Sequence, residues 1–133
     1  MRSVESVWLK MQKNILIIED EISLCDILNE ELTAEGYKVH VAHNGVEGIE
    51  KMRSVEPDAV LCDRAMPAMT GSELLERIRG VYPQYRDIPF IFMTALTTNE
   101  DKQAVSDLEP AAYLEKPIDF RVLKETLNSV LNH

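Results

Sequence analysis

The chain has 133 residues, 45% hydrophobic and 28% charged, enough for one domain with a buried core and unlike a disordered chain. Acidic residues number 23 against 14 basic ones, and the resulting net charge of −9 repels a phosphate backbone, arguing against direct nucleic-acid binding by this chain. No apolar run approaches the ~20 residues of a membrane span, and no secretory signal opens the sequence, so a cytoplasmic protein without a membrane segment is expected.

Residues 1–13 precede any pattern and read as an N-terminal extension, with Trp8 as its one anchor and Met11 as an alternative start; residues 14–133 read as one domain. Ile15–Ile18 is a continuous apolar run, predicted as a strand buried on both faces, and three acids, Glu19, Asp20 and Glu21, follow it at once. The spacing of Ile22, Cys25, Leu28 and Leu32 predicts a helix over 21–35, with Gly36 as its stop. Lys38–Ala42 is a short second strand, and Val46, Ile49 and Met52 mark a second helix. After Pro57, Ala59–Cys62 forms a third strand that ends in Asp63. The loop Arg64–Gly71 leads to a third helix carrying Leu74, Leu75 and Ile78. Phe90–Met93 is a fourth strand ending in Thr94, and a weakly amphipathic fourth helix is expected over 99–108. Tyr113–Glu115 is a fifth strand closed by Lys116 and Pro117, and Phe120, Leu123, Leu127, Val130 and Leu131 form the core stripe of a last helix.

Five strand–helix units with continuously apolar strands imply an α/β fold, a doubly wound five-stranded parallel sheet with five helices. Ligands of such sheets sit beyond the carboxyl ends of the strands. Those ends here carry Glu19 and Asp20, Asp63, Thr94 and Lys116. Taken singly, each has an ordinary explanation: an acid caps a helix, a threonine ends a strand, a lysine is solvated. Five at matching strand ends are hard to explain that way. Three carboxylates at close quarters raise one another's pKa unless a cation relieves them. Mg²⁺ prefers oxygen ligands, takes one or two carboxylates, and completes its shell with water and phosphate oxygen. A carboxylate can also be the nucleophile of phosphoryl transfer, assisted by positive charge around the transferred group.

The segments I-L-I-I-E-D-E, D-A-V-L-C-D-R-A-M-P-A-M-T-G, I-P-F-I-F-M-T-A and Y-L-E-K-P together resemble the receiver domain of bacterial two-component response regulators, in the right order and spacing from residue 14 to 133. The resemblance implies a flavodoxin-like sheet of order 2-1-3-4-5. It also implies Asp63 as phosphoacceptor, served by a sensor histidine kinase or a histidine phosphotransfer protein, with an unidentified protein partner downstream. Mg²⁺, or Mn²⁺ in its place, is then held by Asp20 and Asp63 directly, by Glu19 mainly through water, and by the Ala65 backbone carbonyl. Thr94 and Lys116 would meet the phosphoryl oxygens, Tyr113 would be the aromatic that turns inward with the threonine, and the Lys116–Pro117 bond is expected to be cis.

Departures from the family pattern are Glu19 where aspartate is common, Thr70 where aspartate is frequent, and Glu109–Pro110 where a glycine usually precedes the aromatic. The fourth helix is therefore expected to end abruptly, and its shallow packing makes it the element that moves on switching. Ala111 and Ala112 stand where transcription-factor receivers often carry an acidic pair used in dimers, which favours a monomer or weak dimer. With no effector region after Leu131, either a free-standing receiver or one cut from a longer protein is expected. The cysteines Cys25 and Cys62 read as buried free thiols, and His40, His43 and His133 as incidental groups away from the acids. Arg64 is expected to adjust access to the pocket, and Ala65 and Leu96 to tune the phosphate's lifetime. Two rival readings are a phosphohydrolase of the haloacid dehalogenase type and a flavin- or nucleotide-binding protein of the same fold. The first needs a second aspartate where Ala65 stands, and the second needs a glycine-rich loop where the first acids stand.

Overall fold

Strand character and helix periodicity place ten elements along residues 13–95 and 110–131, the residues that the computed structural model describes. They are β1 (Asn14–Ile18), α1 (Ile22–Ala34), β2 (Lys38–Ala42), α2 (Gly45–Val55), β3 (Ala59–Asp63), α3 (Gly71–Val81), a 3-10 turn (Pro83–Tyr85), β4 (Phe90–Thr94), β5 (Ala112–Glu115) and α4 (Phe120–Leu131). Four α-helices thus fall among the described residues. The helix expected over 99–108, its break at Glu109, Leu96 and the extension with Trp8 lie outside them.

The sheet is parallel throughout, in the order β2-β1-β3-β4-β5, as expected. Successive residues of β1 serve opposite faces. Ile15 and Ile17 pack with Cys25, Leu28 and Leu32 of α1 and Leu123 and Leu127 of α4. Leu16 and Ile18 pack with Met52 of α2 and Leu74, Leu75 and Ile78 of α3. Each face therefore has its own core, and the central strands β1, β3 and β4 between them are buried along nearly their whole length, while the edge strands β2 and β5 are partly exposed. Fully burying one such aliphatic side chain contributes roughly 1.5–3 kcal/mol.

Local chemistry sets the helix ends. Gly36 ends α1 at a φ of 105°, a conformation that costs other residues strain. Asn44 caps α2: its Oδ1 accepts the Glu47 N–H at 2.9 Å, and its Nδ2 donates back to Glu47 Oε2 at 2.7 Å. Thr70 caps α3 in the same reciprocal way with Glu73. Asp119 Oδ1 accepts the Arg121 and Val122 N–H groups ahead of α4. The 3-10 turn, absent from the reading of the sequence, begins at Pro83, whose missing N–H costs nothing in a first turn. Both cysteines are buried and free. No helix among the described residues is long and apolar enough to cross a membrane.

Candidate functional site

Because β1 and β3 are adjacent and in register, Ile18 opposite Cys62, the residues after them emerge side by side. Glu19, Asp20 and Asp63 each offer a carboxylate oxygen, and these oxygens lie within 4.8 Å of one another. Glu19 is fully buried and Asp63 is 4% exposed, while Asp20 stands in solvent. Lys116, just beyond β5, reaches across to both buried acids: Nζ donates to Glu19 Oε1 at 2.9 Å and lies 3.4 Å from Asp63 Oδ1. Its backbone N–H donates to the Thr94 carbonyl at 2.8 Å, which sets Thr94, 4% exposed at the end of β4, beside the lysine. The Lys116–Pro117 peptide bond is cis.

The second Glu19 oxygen, Oε2, accepts the Glu21 N–H at 3.0 Å, so a buried acid closes the N-terminus of α1 and lies in the positive end of its dipole. Asp63 Oδ1 accepts the Ala65 N–H at 3.2 Å, which fixes the Ala65 backbone against the carboxylate. Ala65 stands where the phosphohydrolase reading requires an acid, and nothing in the site favours that reading.

Electrostatics follow from the burial. Loss of hydration pushes the Glu19 carboxyl up to about 7; Lys116 and the Glu21 N–H oppose the rise, and Asp20 and Asp63 add to it. Burial would lower the Lys116 ammonium, but its bonds to Glu19 and Asp63 more than offset that and hold it above its usual value. A folded-state pKa above the unfolded value of 4.5 means that the folded chain binds the Glu19 proton more tightly. That contribution to stability is complete below about pH 4.5 and is lost as pH rises through about 7. Without divalent ions, this group should therefore lower thermal stability as pH rises from about 4.5 to about 7, by on the order of 3 kcal/mol, and Glu19→Gln should flatten the decline. Melting curves in a chelator test this; a profile that rises over the same range contradicts it.

The loop from Arg64 to Thr70 is pinned at its base. Arg64 N–H donates to the Met93 carbonyl at 3.0 Å, and Gly71 N–H donates to the Arg64 carbonyl at 2.9 Å. Within it, the Met69 N–H closes a three-residue turn on the Pro67 carbonyl at 2.8 Å around Ala68, whose φ is 69°. Gly71 was not singled out from the sequence, yet an added Cβ there would stand 2.5 Å from the Asp63 carbonyl oxygen. The only signal is a glycine at a helix's first position, where propensity gives no reason for one. Tyr113 is not part of the acid cluster: it lies half-buried on β5, its ring packed against Phe92 at 6.2 Å.

His43 corrects an expectation. Instead of lying away from the acids, its Nδ1 is 3.2 Å from the Glu19 carbonyl oxygen and 3.7 Å from Cys25 Sγ. The register that sets Ile18 opposite Ala42 makes Glu19 and His43 neighbours too. Cys25 is no nucleophile here, since burial pushes its thiol up to about 11.

The carboxylate group is all oxygen, without thiolate or imidazole, and so suits a hard divalent cation such as Mg²⁺. Residues 15–128 match the family described as the response regulator receiver domain. The transcriptional regulatory protein ZraR of Klebsiella oxytoca is 41% identical over 124 residues, covering 92% of this chain and 27% of that protein. Response regulator MprA of Mycobacterium tuberculosis is 31% identical over 121 residues, covering 91% of this chain and 51% of that protein. The chain thus spans 27% and 51% of the lengths of these two curated relatives. Among solved structures, chemotaxis protein CheY4 of Vibrio cholerae superposes with a TM-score of 0.84 at 31% identity, covering 90% of this chain and 98% of that one.

Proposed function

The chain belongs to the response regulator receiver domain family of two-component systems, and from that premise we infer that Asp63 is its phosphoacceptor. The donor is a phosphohistidine on a sensor kinase or a histidine phosphotransfer protein. A carboxylate oxygen of Asp63 bonds to phosphorus, the phosphorus–nitrogen bond of the donor breaks, and the imidazole leaves with the bonding pair and takes up a proton. What supports the reading most is the meeting of three carboxylates within 4.8 Å and an ammonium 3.4 Å from Asp63, at the carboxyl edge of a parallel sheet.

Little covalent chemistry is asked of the protein beyond positioning and neutralising charge. The Ala65 N–H orients Asp63 Oδ1. Lys116, held between Glu19 and Asp63, is one movement of its flexible stem away from an incoming phosphoryl oxygen, and the Thr94 hydroxyl donates to another. Receiver domains bind Mg²⁺ at an acidic pocket. In this chain Asp20, Asp63 and the Ala65 carbonyl would hold it, or Mn²⁺, directly. Glu19, with both oxygens already engaged by Lys116 and the Glu21 N–H, would support it through water. The ion supplies positive charge against the phosphoryl oxygens.

The domain is a substrate of transfer more than an enzyme, and it promotes its own phosphorylation and dephosphorylation. Its output is a changed partner-binding surface: Thr94 moves toward the phosphate and Tyr113 turns inward. Residues 14–133 form the switching unit, and residues 1–13 stand outside it.

Incubation with acetyl phosphate and Mg²⁺, followed by intact mass, tests the reading. One phosphoryl group should appear, hydroxylamine should remove it, and Asp63→Ala should prevent it. A phosphoryl group that survives hydroxylamine, or that persists in Asp63→Ala, contradicts the assignment.

A further inference from the structure

Arg64 follows Asp63 directly, and neighbours along a strand face opposite sides of the sheet. Asp63 continues the side of Leu61, which packs with α1 and α4. Arg64 continues the side of Cys62, which carries Phe92 and, packed against it, Tyr113. The register runs Cys62–Phe92–Tyr113 across β3, β4 and β5, and the Arg64 N–H bond to the Met93 carbonyl carries the ladder one residue further. The arginine thus starts at the top of the surface on which Tyr113 lies, two strands away.

Its Nε is buried and has no hydrogen-bond partner. An arginine that merely stayed solvated at the rim would keep that N–H in water, and a buried donor without an acceptor is costly until one arrives. The Arg64 charge is also felt at Tyr113: burial raises the phenol's pKa, and Arg64 opposes the rise.

We propose that Arg64 is a positioning residue for the switch, its buried Nε–H being the donor that receives the Tyr113 hydroxyl when the ring turns inward. The proposal rests on the reading of Tyr113 as the switch aromatic. It gives the residue after the phosphoacceptor a role separate from phosphoryl chemistry: it sets how completely the aromatic follows.

The four tyrosines can be labelled as 3-fluorotyrosine, with Tyr113→Phe assigning the Tyr113 fluorine resonance and beryllofluoride with Mg²⁺ standing in for the phosphoryl group. The wild-type resonance should move to a new position. In Arg64→Met the inward-to-outward ratio should fall about tenfold, and Arg64→Gln, which keeps an N–H donor, should recover part of it. The midpoint of a Mg²⁺ titration followed by melting temperature should stay the same in all three. An Arg64→Met response equal to wild type overturns the proposal, as does a shifted Mg²⁺ midpoint, which would assign Arg64 to the cation site instead. Should Arg64→Met fail to fold, Arg64→Leu carries the same expectation, because it keeps an apolar stem but has no N–H donor. A wild-type resonance that does not move overturns the switch reading itself, a result distinct from the others.

Discussion

Replacing Gly71 with alanine should destabilise the domain by about 2 kcal/mol and slow phosphoryl uptake, although alanine is the better helix former. On propensity alone the exchange would favour α3 by at most about 1 kcal/mol. Sterics decide otherwise: the new Cβ would stand 2.5 Å from the Asp63 carbonyl oxygen, 2.9 Å from Arg64 Cα and 3.0 Å from Phe92 Cε1. Two of those atoms are backbone and cannot rotate away, so β3 and the start of α3 must separate. That separation also loosens the Gly71 N–H bond to the Arg64 carbonyl, which closes the loop behind Asp63. Denaturant melts and intact-mass time courses measure both effects. Gly80, where a Cβ would meet nothing within 4 Å, serves as the control: Gly80→Ala should be neutral or stabilising. A Gly71→Ala variant as stable as Gly80→Ala would show that the loop yields at no cost.

Lys116→Ala should lower the rate of phosphoryl uptake by roughly a hundredfold, the usual consequence of deleting one preorganised donor from a charge-stabilising site. The same substitution should tighten Mg²⁺ binding. Lys116 neutralises Glu19 and Asp63 from within, at 2.9 and 3.4 Å, and a divalent ion competes with it for the same negative charge. Without the lysine two buried acids are left uncompensated, so the metal-free variant is also less stable and gains more from Mg²⁺. Opposite signs for rate and affinity distinguish this from general damage, which would lower both. Uptake at the wild-type rate would remove Lys116 from the mechanism.

Much of this was legible before any coordinates. Continuous apolar strands announced the parallel sheet, and counting to the end of each strand placed Glu19, Asp20, Asp63, Thr94 and Lys116 at one edge. That works because a parallel sheet aligns all its carboxyl ends, so a position in the sequence becomes a position in space. His43 escaped because it was judged by ligand spacing along the chain instead of by register: Ile18 pairs with Ala42, and the next residues are therefore Glu19 and His43. The role of Gly71 depends on an interatomic distance across two elements, and no periodicity encodes that. Arg64 and Tyr113 lie 49 positions apart, and only the β3–β4–β5 register brings their side chains to one surface. The segment 99–108 had too weak an apolar stripe to define its packing and lies outside the described residues.

The claim on which the account turns is that the oxygen cluster gathers a divalent ion so that residue 63 can bear phosphorus. Borohydride reduction of the phosphorylated protein, followed by peptide sequencing in a mass spectrometer, tests it at the level of the bond, since reducing an aspartyl phosphate leaves homoserine at that position. The account predicts homoserine at residue 63 alone, formed with Mg²⁺ or Mn²⁺ and absent in a chelator. Homoserine at another acid, or an equal yield at residue 63 in a chelator, would contradict it.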